Sequence, residues 1–283
     1  MMNSYLLKMK NMMKHHPQYN NLLQFNQLSR INEIVHFSTT RAGGVSNGTY
    51  SSFNMGNFSD DSPLNIYENR KILAQMLFMN INDFIIPHQT HGTRVLKIDE
   101  EFLKLNHTSS IEIMYGVDST ITNKRDIFLC VTTADCVPII IYDSKSKAIA
   151  AIHAGWKGTS GKIVYNTISA MQNEYNSCTQ DMFVGIGPAI SQQNYEVGDE
   201  VIKEMLNNGI DLSDEIVCTK KFKSSKLLLN LKEINRRELI NLGVPENNIE
   251  TTSLCTFEKQ ELFFSARRQT VHSGRMLTGI MLN

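Results

Sequence analysis

The chain runs to 283 residues but holds only five cysteines, six prolines and one tryptophan, and it has no excess of charge of either sign. Each shortage excludes something. An odd number of cysteines scattered along a long chain makes no disulfide framework and fits a reducing cytoplasm, where a special cysteine serves as metal ligand or nucleophile. Lys plus Arg equals Asp plus Glu at 28 each, so there is no electrostatic case for nucleic acid or an anionic membrane as partner. No run approaches the roughly 18 apolar residues that span a bilayer. The opening MMNSYLLKMKNMMKHHPQYNN is basic and Met-rich, with no continuous apolar stretch and no small-residue cleavage site. Export through a signal peptide is therefore not expected, and a cytoplasmic location is. With no Pro-rich linker, internal repeat or charge block, one continuous domain is expected over residues 23–283. Residues 1–22 read as an extension, loosely ordered or a short helix.

What is present is globular. Hydrophobic residues make up 41% and charged residues 20%. A chain of this length buries roughly three quarters of its surface on folding, so its core needs no disulfide or metal. Runs rich in β-branched residues predict strands at 34–39, 85–87, 94–98, 119–122, 127–132, 139–142, 148–153, 182–186 and 253–254. The near-continuous IFLCVTT, PIIIYD and AIAAIHA suggest strands covered on both faces. Helical periodicity predicts helices at 64–79, 161–175, 197–207 and 231–242, two of them stopped by Asn-Gly-Ile and Gly-Val-Pro. Strands and helices mix without strict alternation, which points to an α/β fold with mixed sheets.

Eight histidines and five cysteines are the candidates for chemistry. Most have ordinary explanations. His15 and His16 lie in the extension, His36 alternates within a strand, His107 falls in a polar loop and His272 in the last loop. Cys130, Cys178, Cys218 and Cys255 read as small buried or half-buried hydrophobes. His91 in PHQTHGTRV, Cys136 in TTADCVPIII and His153 in AIAAIHAGWKG differ, because each ends an apolar element beside small residues. Such strand ends gather side chains in α/β sites. A thiolate with two imidazoles suits Zn²⁺ with a fourth position left open, and Cys136 with His153 equally suits a nucleophile and its base. Three separated residues make no local metal signature, and the spacing leaves both readings open, with purely structural roles beside them. Asp135, in a turn, can orient a ligand or take a proton. Arg41 in STTRAGGVS, and Arg267 with Arg268 in FFSARRQ, read either as surface charges or as forks for phosphate or a polar ring. Trp156 reads as a packing residue. No G-x-G-x-x-G, G-x-x-x-x-G-K-[ST] or G-x-S-x-G is present.

Taken in order, STTRAGGVSNGTYSSFNMG, ENRKIL, HQTHGTRV, DSTIT, TTADCVPI, AIHAGWKGT, VGIGPAISQQNYEVGDEV, LNLKEINRRELINLGV, CTFEKQELFFSARR and SGRM resemble the YfiH/PgeF/YlmD family. This is the laccase-domain or multicopper polyphenol oxidoreductase family, which includes FAMIN-like purine nucleoside enzymes. The resemblance spans about residues 36–280. It implies a single α/β domain of layered mixed sheets flanked by helices, similar to the cysteine-hydrolase fold of cytotoxic necrotising factor. It implies one zinc ion per chain on His91, Cys136 and His153, with pocket residues at Arg41 and Asn54. It also implies purine nucleoside chemistry, namely phosphorolysis of adenosine, inosine, guanosine or methylthioadenosine, with adenosine deamination at the same site. A bacterial branch implies, as an alternative, editing of a UDP-MurNAc peptide precursor carrying Ser in place of Ala. Ala266 and Gln269 stand where the family usually has Tyr and Asp, and Asn230 stands in the usual LDL.

Copper is not expected. A trinuclear cluster with a blue site needs His-x-His pairs and a His-Cys-His, and the sequence has neither. The nucleobase-deaminase pattern H-x-E with P-C-x-x-C is absent too. The expected enzyme uses Cys136, His153 and Asp135 for catalysis and places Arg41, Asn54 and Arg267 on the substrate, with Arg41 and Arg267 supplying fixed charge for phosphate. Its partners are a nucleoside and phosphate, and it is expected to be a monomer. A Cys136–His153 amide hydrolase is the rival enzyme, and a binding protein that keeps the fold is the non-catalytic alternative.

Overall fold

The computed structural model describes residues 13–57, 59–221 and 226–283. Strands, in chain order, are Lys14–His15 (β1), Leu22–Gln24 (β2), Ile34–Thr39 (β3), Phe84–Ile85 (β4), Arg94–Lys97 (β5), Val117–Thr122 (β6), Phe128–Thr133 (β7), Val137–Asp143 (β8), Ala148–Ala154 (β9), Met182–Ile186 (β10), Glu196–Val197 (β11), Cys218–Lys220 (β12), Leu227–Leu229 (β13), Ile249–Thr251 (β14) and Met276–Leu282 (β15). The helices are Pro63–Met76 (α1), Glu100–Leu103 (α2), His107–Met114 (α3), Trp156–Ser160 (α4), Ile163–Tyr175 (α5), Asp199–Asn207 (α6), Leu231–Asn241 (α7) and Ala266–Gln269 (α8).

Two mixed six-stranded sheets form the centre, in the orders β1-β2-β3-β15-β7-β4 and β14-β10-β8-β9-β6-β5, with a small sheet β11-β13-β12 beside them. The alternation of side chains along β8 shows how they stack. Ile140 and Tyr142 point inward, into one apolar cluster with Leu129, Val131 and Ile280 of the facing sheet. Ile139 and Ile141 point outward, onto Ile163, Ile168 and Met171 of α5 and Ile234 and Leu239 of α7. On the far side, Phe37, Phe128 and Leu277 pack with Leu73 of α1. The order of layers is helix, sheet, sheet, helices. β8 and β9 are buried along their whole length, as their continuous apolar runs predict.

Local chemistry sets the ends of these elements. Pro63 opens α1 at a position where its missing N–H is not needed, and the Asn230 side chain caps α7 by accepting from Glu233 N. The predicted helices at 64–79, 161–175, 197–207 and 231–242 correspond to α1, α5, α6 and α7.

Several expectations need correction. β15 lies between β3 and β7 in the middle of its sheet, although Thr278 and Gly279 disguise it as loop sequence. The glycine is a matter of space: a Cβ at Gly279 would stand 2.7 Å from Cys130 Sγ and 2.9 Å from Phe37 Cζ. The strand expected at 253–254 is absent, because pairing with β10 ends at Thr251 and Cys255 makes only an isolated bridge to Ala189. His107 begins α3, and Cys178 is exposed. Of the extension expected at 1–22, residues 1–12 lie outside the described residues. Residues 13–22 are part of the fold: β1 pairs antiparallel with β2, and Met13 and Leu22 are buried. Among the described residues no helix is long and apolar enough to cross a membrane.

Candidate metal centre

His91, Cys136 and His153 meet. One ligand atom from each lies within 4.8 Å of the others, and the two rings stand edge to face with centroids 4.8 Å apart. His153 ends β9 and Cys136 sits in the turn between β7 and β8, where Pro138 is the register partner of His153. His91 comes from the loop before β5. Gly155 forms the floor of the group: a Cβ there would lie 2.9 Å from His91 Cδ2 and 3.1 Å from Cys136 Sγ. The glycine in HAGW is thus required by the approach of two ligands to the backbone. Tetrahedral zinc with its ordinary bond lengths holds its N and S ligands about 3.3–3.6 Å apart, so the group fits one such ion with a small closing movement.

One carboxylate organises this group, and sequence reasoning assigned it no role. Asp118 lies in β6, whose register with β9 places it across from His153. Its Oδ1 accepts from His153 Nδ1 at 2.7 Å and from His91 N at 3.0 Å. Its Oδ2 accepts from Thr90 N at 3.2 Å and Gly92 N at 2.7 Å. These bonds hold His91 in the left-handed region, at φ 63°, a conformation a non-glycine residue adopts only where its surroundings enforce it. Fixing Nδ1 of His153 leaves Nε2 for the shared centre, the usual role of a carboxylate behind a ligating histidine. The signal in the sequence was an acid inside the wholly buried strand VDSTIT.

The charges reinforce one another. Burial alone would push the Cys136 thiol up, but the neighbouring His153 and His91 outweigh it and hold it well below its ordinary range. Burial alone would push His153 down, but the Cys136 sulfur and the Asp118 carboxylate outweigh it and raise it. Asp118 is likewise held below the usual carboxylate range, its own burial overcome by His153 and the backbone donors. The Cys136 sulfur and the His153 ring thus each favour the charged form of the other.

The other expected site residues are occupied otherwise. Asp135, at φ 89°, accepts from Thr256 Oγ1 at 2.6 Å, Ser265 Oγ at 2.9 Å and Arg267 N at 2.6 Å. Its carboxylate clamps the C-terminal loop onto the turn that carries Cys136. Acting as a proton carrier would break that clamp, and the carboxylate bonded to His153 is Asp118. Arg41 donates from Nε and Nη2 to Ser51 O and from Nη1 to Gln260 O, and its guanidinium lies 4.8 Å above Phe264. Asn54 is fully buried, donating to Ser59 and Asp61 and accepting from Gly56 N and Arg275 N. Both residues hold loops, and their polar groups are largely engaged. Arg267 is exposed, donates to Glu196 O and lies 5.2 Å from the Tyr195 ring. Trp156 is half-buried against the outer core, as a packing residue.

The family model described as multi-copper polyphenol oxidoreductase laccase matches residues 35–283. The chain belongs to this family. It is 39% identical to a purine nucleoside phosphorylase of Bacteroides thetaiotaomicron, over 93% of this chain and 96% of that one. It is 36% identical to adenosine deaminase RL5 from an unknown prokaryotic organism, over 87% and 93%. Among solved structures, YlmD from Geobacillus stearothermophilus superposes with a TM-score of 0.86 at 28% identity, covering 96% of this chain and 99% of that one. The single-domain α/β fold of mixed sheets between helices is therefore that of the YlmD and YfiH proteins. Relatives with these names support an enzyme.

Proposed function

We propose that this family member is a zinc-dependent purine nucleoside phosphorylase that also deaminates adenosine, with both reactions at the centre formed by His91, Cys136 and His153. The observation that carries the reading is the convergence of those ligand atoms over the Gly155 floor, in a chain whose relatives bear those two names. Three ligands suffice for one ion and are too few for the copper set that the family's descriptive name implies. Zinc bound there supplies Lewis acidity at its open position.

The protein's part is preorganisation. Asp118 fixes the His153 ring and the His91 loop together, so the donor atoms do not have to be gathered when substrate arrives. Asp135 holds the Cys136 turn to the C-terminal loop. Arg41 and Arg267 add positive charge at the rim. In deamination, water attacks C6 of adenosine and ammonia leaves. In phosphorolysis, phosphate attacks the anomeric carbon and the purine leaves. The test is a nucleoside panel with and without phosphate, read by chromatography alongside metal analysis. The expected outcome is phosphate-dependent release of purine, phosphate-independent release of ammonia from adenosine, and loss of both on chelation with recovery on adding zinc.

A second reading rests on one specific observation. Asp118, His153 and Cys136 form a line of carboxylate, imidazole and thiol with the thiol held low, the arrangement of a cysteine nucleophile with an oriented base. Turnover that survives removal of metal and is titrated stoichiometrically by iodoacetamide would establish that enzyme and refute the zinc reading.

A further inference from the structure

Arg41, Arg267, Arg268 and Arg275 belong to the segments around the Cys136 turn, yet the arginine ion pairs among the described residues involve Arg236 and Arg237 alone. Arg41 and Arg268 direct their forks at main-chain carbonyls. Arg41 reaches Ser51 and Gln260, and Arg268 reaches Thr256, Phe257 and Phe263. Arg267 is exposed at the rim.

Arg275 is different. It is half-buried, and its Nη1 donates to Ser273 O at 2.5 Å and Gly274 O at 3.1 Å. Nε and Nη2, the other edge of the fork, have no hydrogen-bond partner among the described residues. Neither nitrogen is among the buried polar atoms left unpaired, so this edge faces accessible space. The guanidinium lies within electrostatic reach of Cys136, Asp135 and Tyr50. Its backbone is pinned on both sides, Arg275 N donating to Asn54 Oδ1 at 2.9 Å and Met55 N to Arg275 O at 3.0 Å. Gly56 leaves room for the side chain, since a Cβ there would come within 2.5 Å of Arg275 Cγ. A fork anchored at one nitrogen and open along the opposite edge is preorganised for two parallel bonds to an oxyanion.

We propose that Arg275 anchors the phosphate co-substrate, with Asn54 as the positioning residue that sets its backbone. The assignment rests on the phosphorolytic reading above. In that reaction an oxygen of hydrogen phosphate bonds to C1′ of the ribose as the C1′–N9 bond breaks. The electron pair goes to the purine, and the proton of hydrogen phosphate ends on the departing base. Arg275 forms no covalent bond; it holds the phosphate charge in place while the bond to C1′ forms.

The test compares wild type with Arg275→Met and Arg275→Lys. Arg275→Met is expected to raise the KM for phosphate at least ~10-fold, with a smaller change in the KM for nucleoside, and to lower the ratio of phosphorolysis to deamination by a similar factor. Arg275→Lys, which keeps the charge and loses the fork, is expected to fall between the two, and it carries the comparison if the methionine variant does not fold. A phosphate KM within about 2-fold of wild type overturns the assignment, as does an equal fall of both activities in both variants. Thermal shift with inorganic phosphate separates this inference from the proposed function. Stabilisation of wild type that is lost in Arg275→Met and reduced in Arg275→Lys supports the anchor even if no nucleoside is turned over. Equal stabilisation of all three, or of none, overturns it. AMP is the second arm. A shift given by AMP and not by inorganic phosphate, and lost in the variants, assigns Arg275 to a nucleotide phosphoryl group and overturns the role for free phosphate.

Discussion

Each of the two central sheets carries one buried histidine, and they are opposite in character. His36, 1% exposed on β3, has no acid beside it. Its Nε2 accepts from Phe25 N at 2.9 Å, its ring stacks on Phe25, and burial with nearby Lys14 and His16 pushes it down to about 3. His153, 3% exposed on β9, is equally desolvated, yet the Cys136 sulfur and the Asp118 carboxylate raise it. Burial disfavours charge on both rings. What separates them is whether the fold places a negative partner within bonding distance. His36 is a neutral acceptor built into the core. His153 is held, polarised and aimed.

Removing the sulfur is the most severe way to break that contrast. Cys136→Ala is expected to abolish stoichiometric metal binding and both nucleoside activities, leaving His153 with Asp118 alone. Metal analysis and the nucleoside panel check it, and full turnover by metal-free Cys136→Ala protein would sink the mechanism.

The next effect is on stability at the His36 end. The unfolded ring takes up its proton near pH 6.5 and the folded one only near about 3, so between these values the unfolded state binds more protons. The stabilisation is complete above about pH 6.5 and is lost as pH falls toward 3, by an amount of order 3–5 kcal/mol. Denaturant unfolding at pH 4 and pH 7 measures it. His36→Gln should be less stable at pH 7 and should lack this part of the pH dependence. An unchanged slope would mean that His36 is not the titrating group.

The smallest effect sharpens the His153 end. Asp118→Asn keeps the shape but loses the charge and one acceptor, and is expected to weaken metal affinity or kcat/KM by about 10–100-fold. A competition titration with a chromogenic chelator reads the affinity. A wild-type value would reduce Asp118 to a loop-holding role.

Much of the scaffold was legible along the chain, and the reasons are local. Continuous apolar runs require burial on both faces, which is why β7, β8 and β9 could be read directly, and the periods of α1, α5, α6 and α7 register their packing faces. Strand β15 was hidden because its glycine answers to Cys130 and Phe37, which are far away in sequence. The same limit applied to polar residues. Asp135 drew attention as the neighbour of Cys136, but its carboxylate is taken up by Thr256 and Ser265. Asp118, inside a strand of ordinary appearance, is the acid that binds His153. Arg275 stood in SGRM with nothing nearby to show that half of its fork is free.

The sequence by itself determined the mixed α/β class and the family, and it singled out His91, Cys136 and His153 by their place at the ends of apolar elements, since each of these is written in consecutive residues or in motifs. Only the tertiary structure decided which carboxylate binds the His153 ring and which one clamps the C-terminal loop. Those pairings follow from the antiparallel register of β6 with β9 and from the return of the C-terminal loop, and hydrogen bonding acts across a few ångströms of space regardless of distance along the chain.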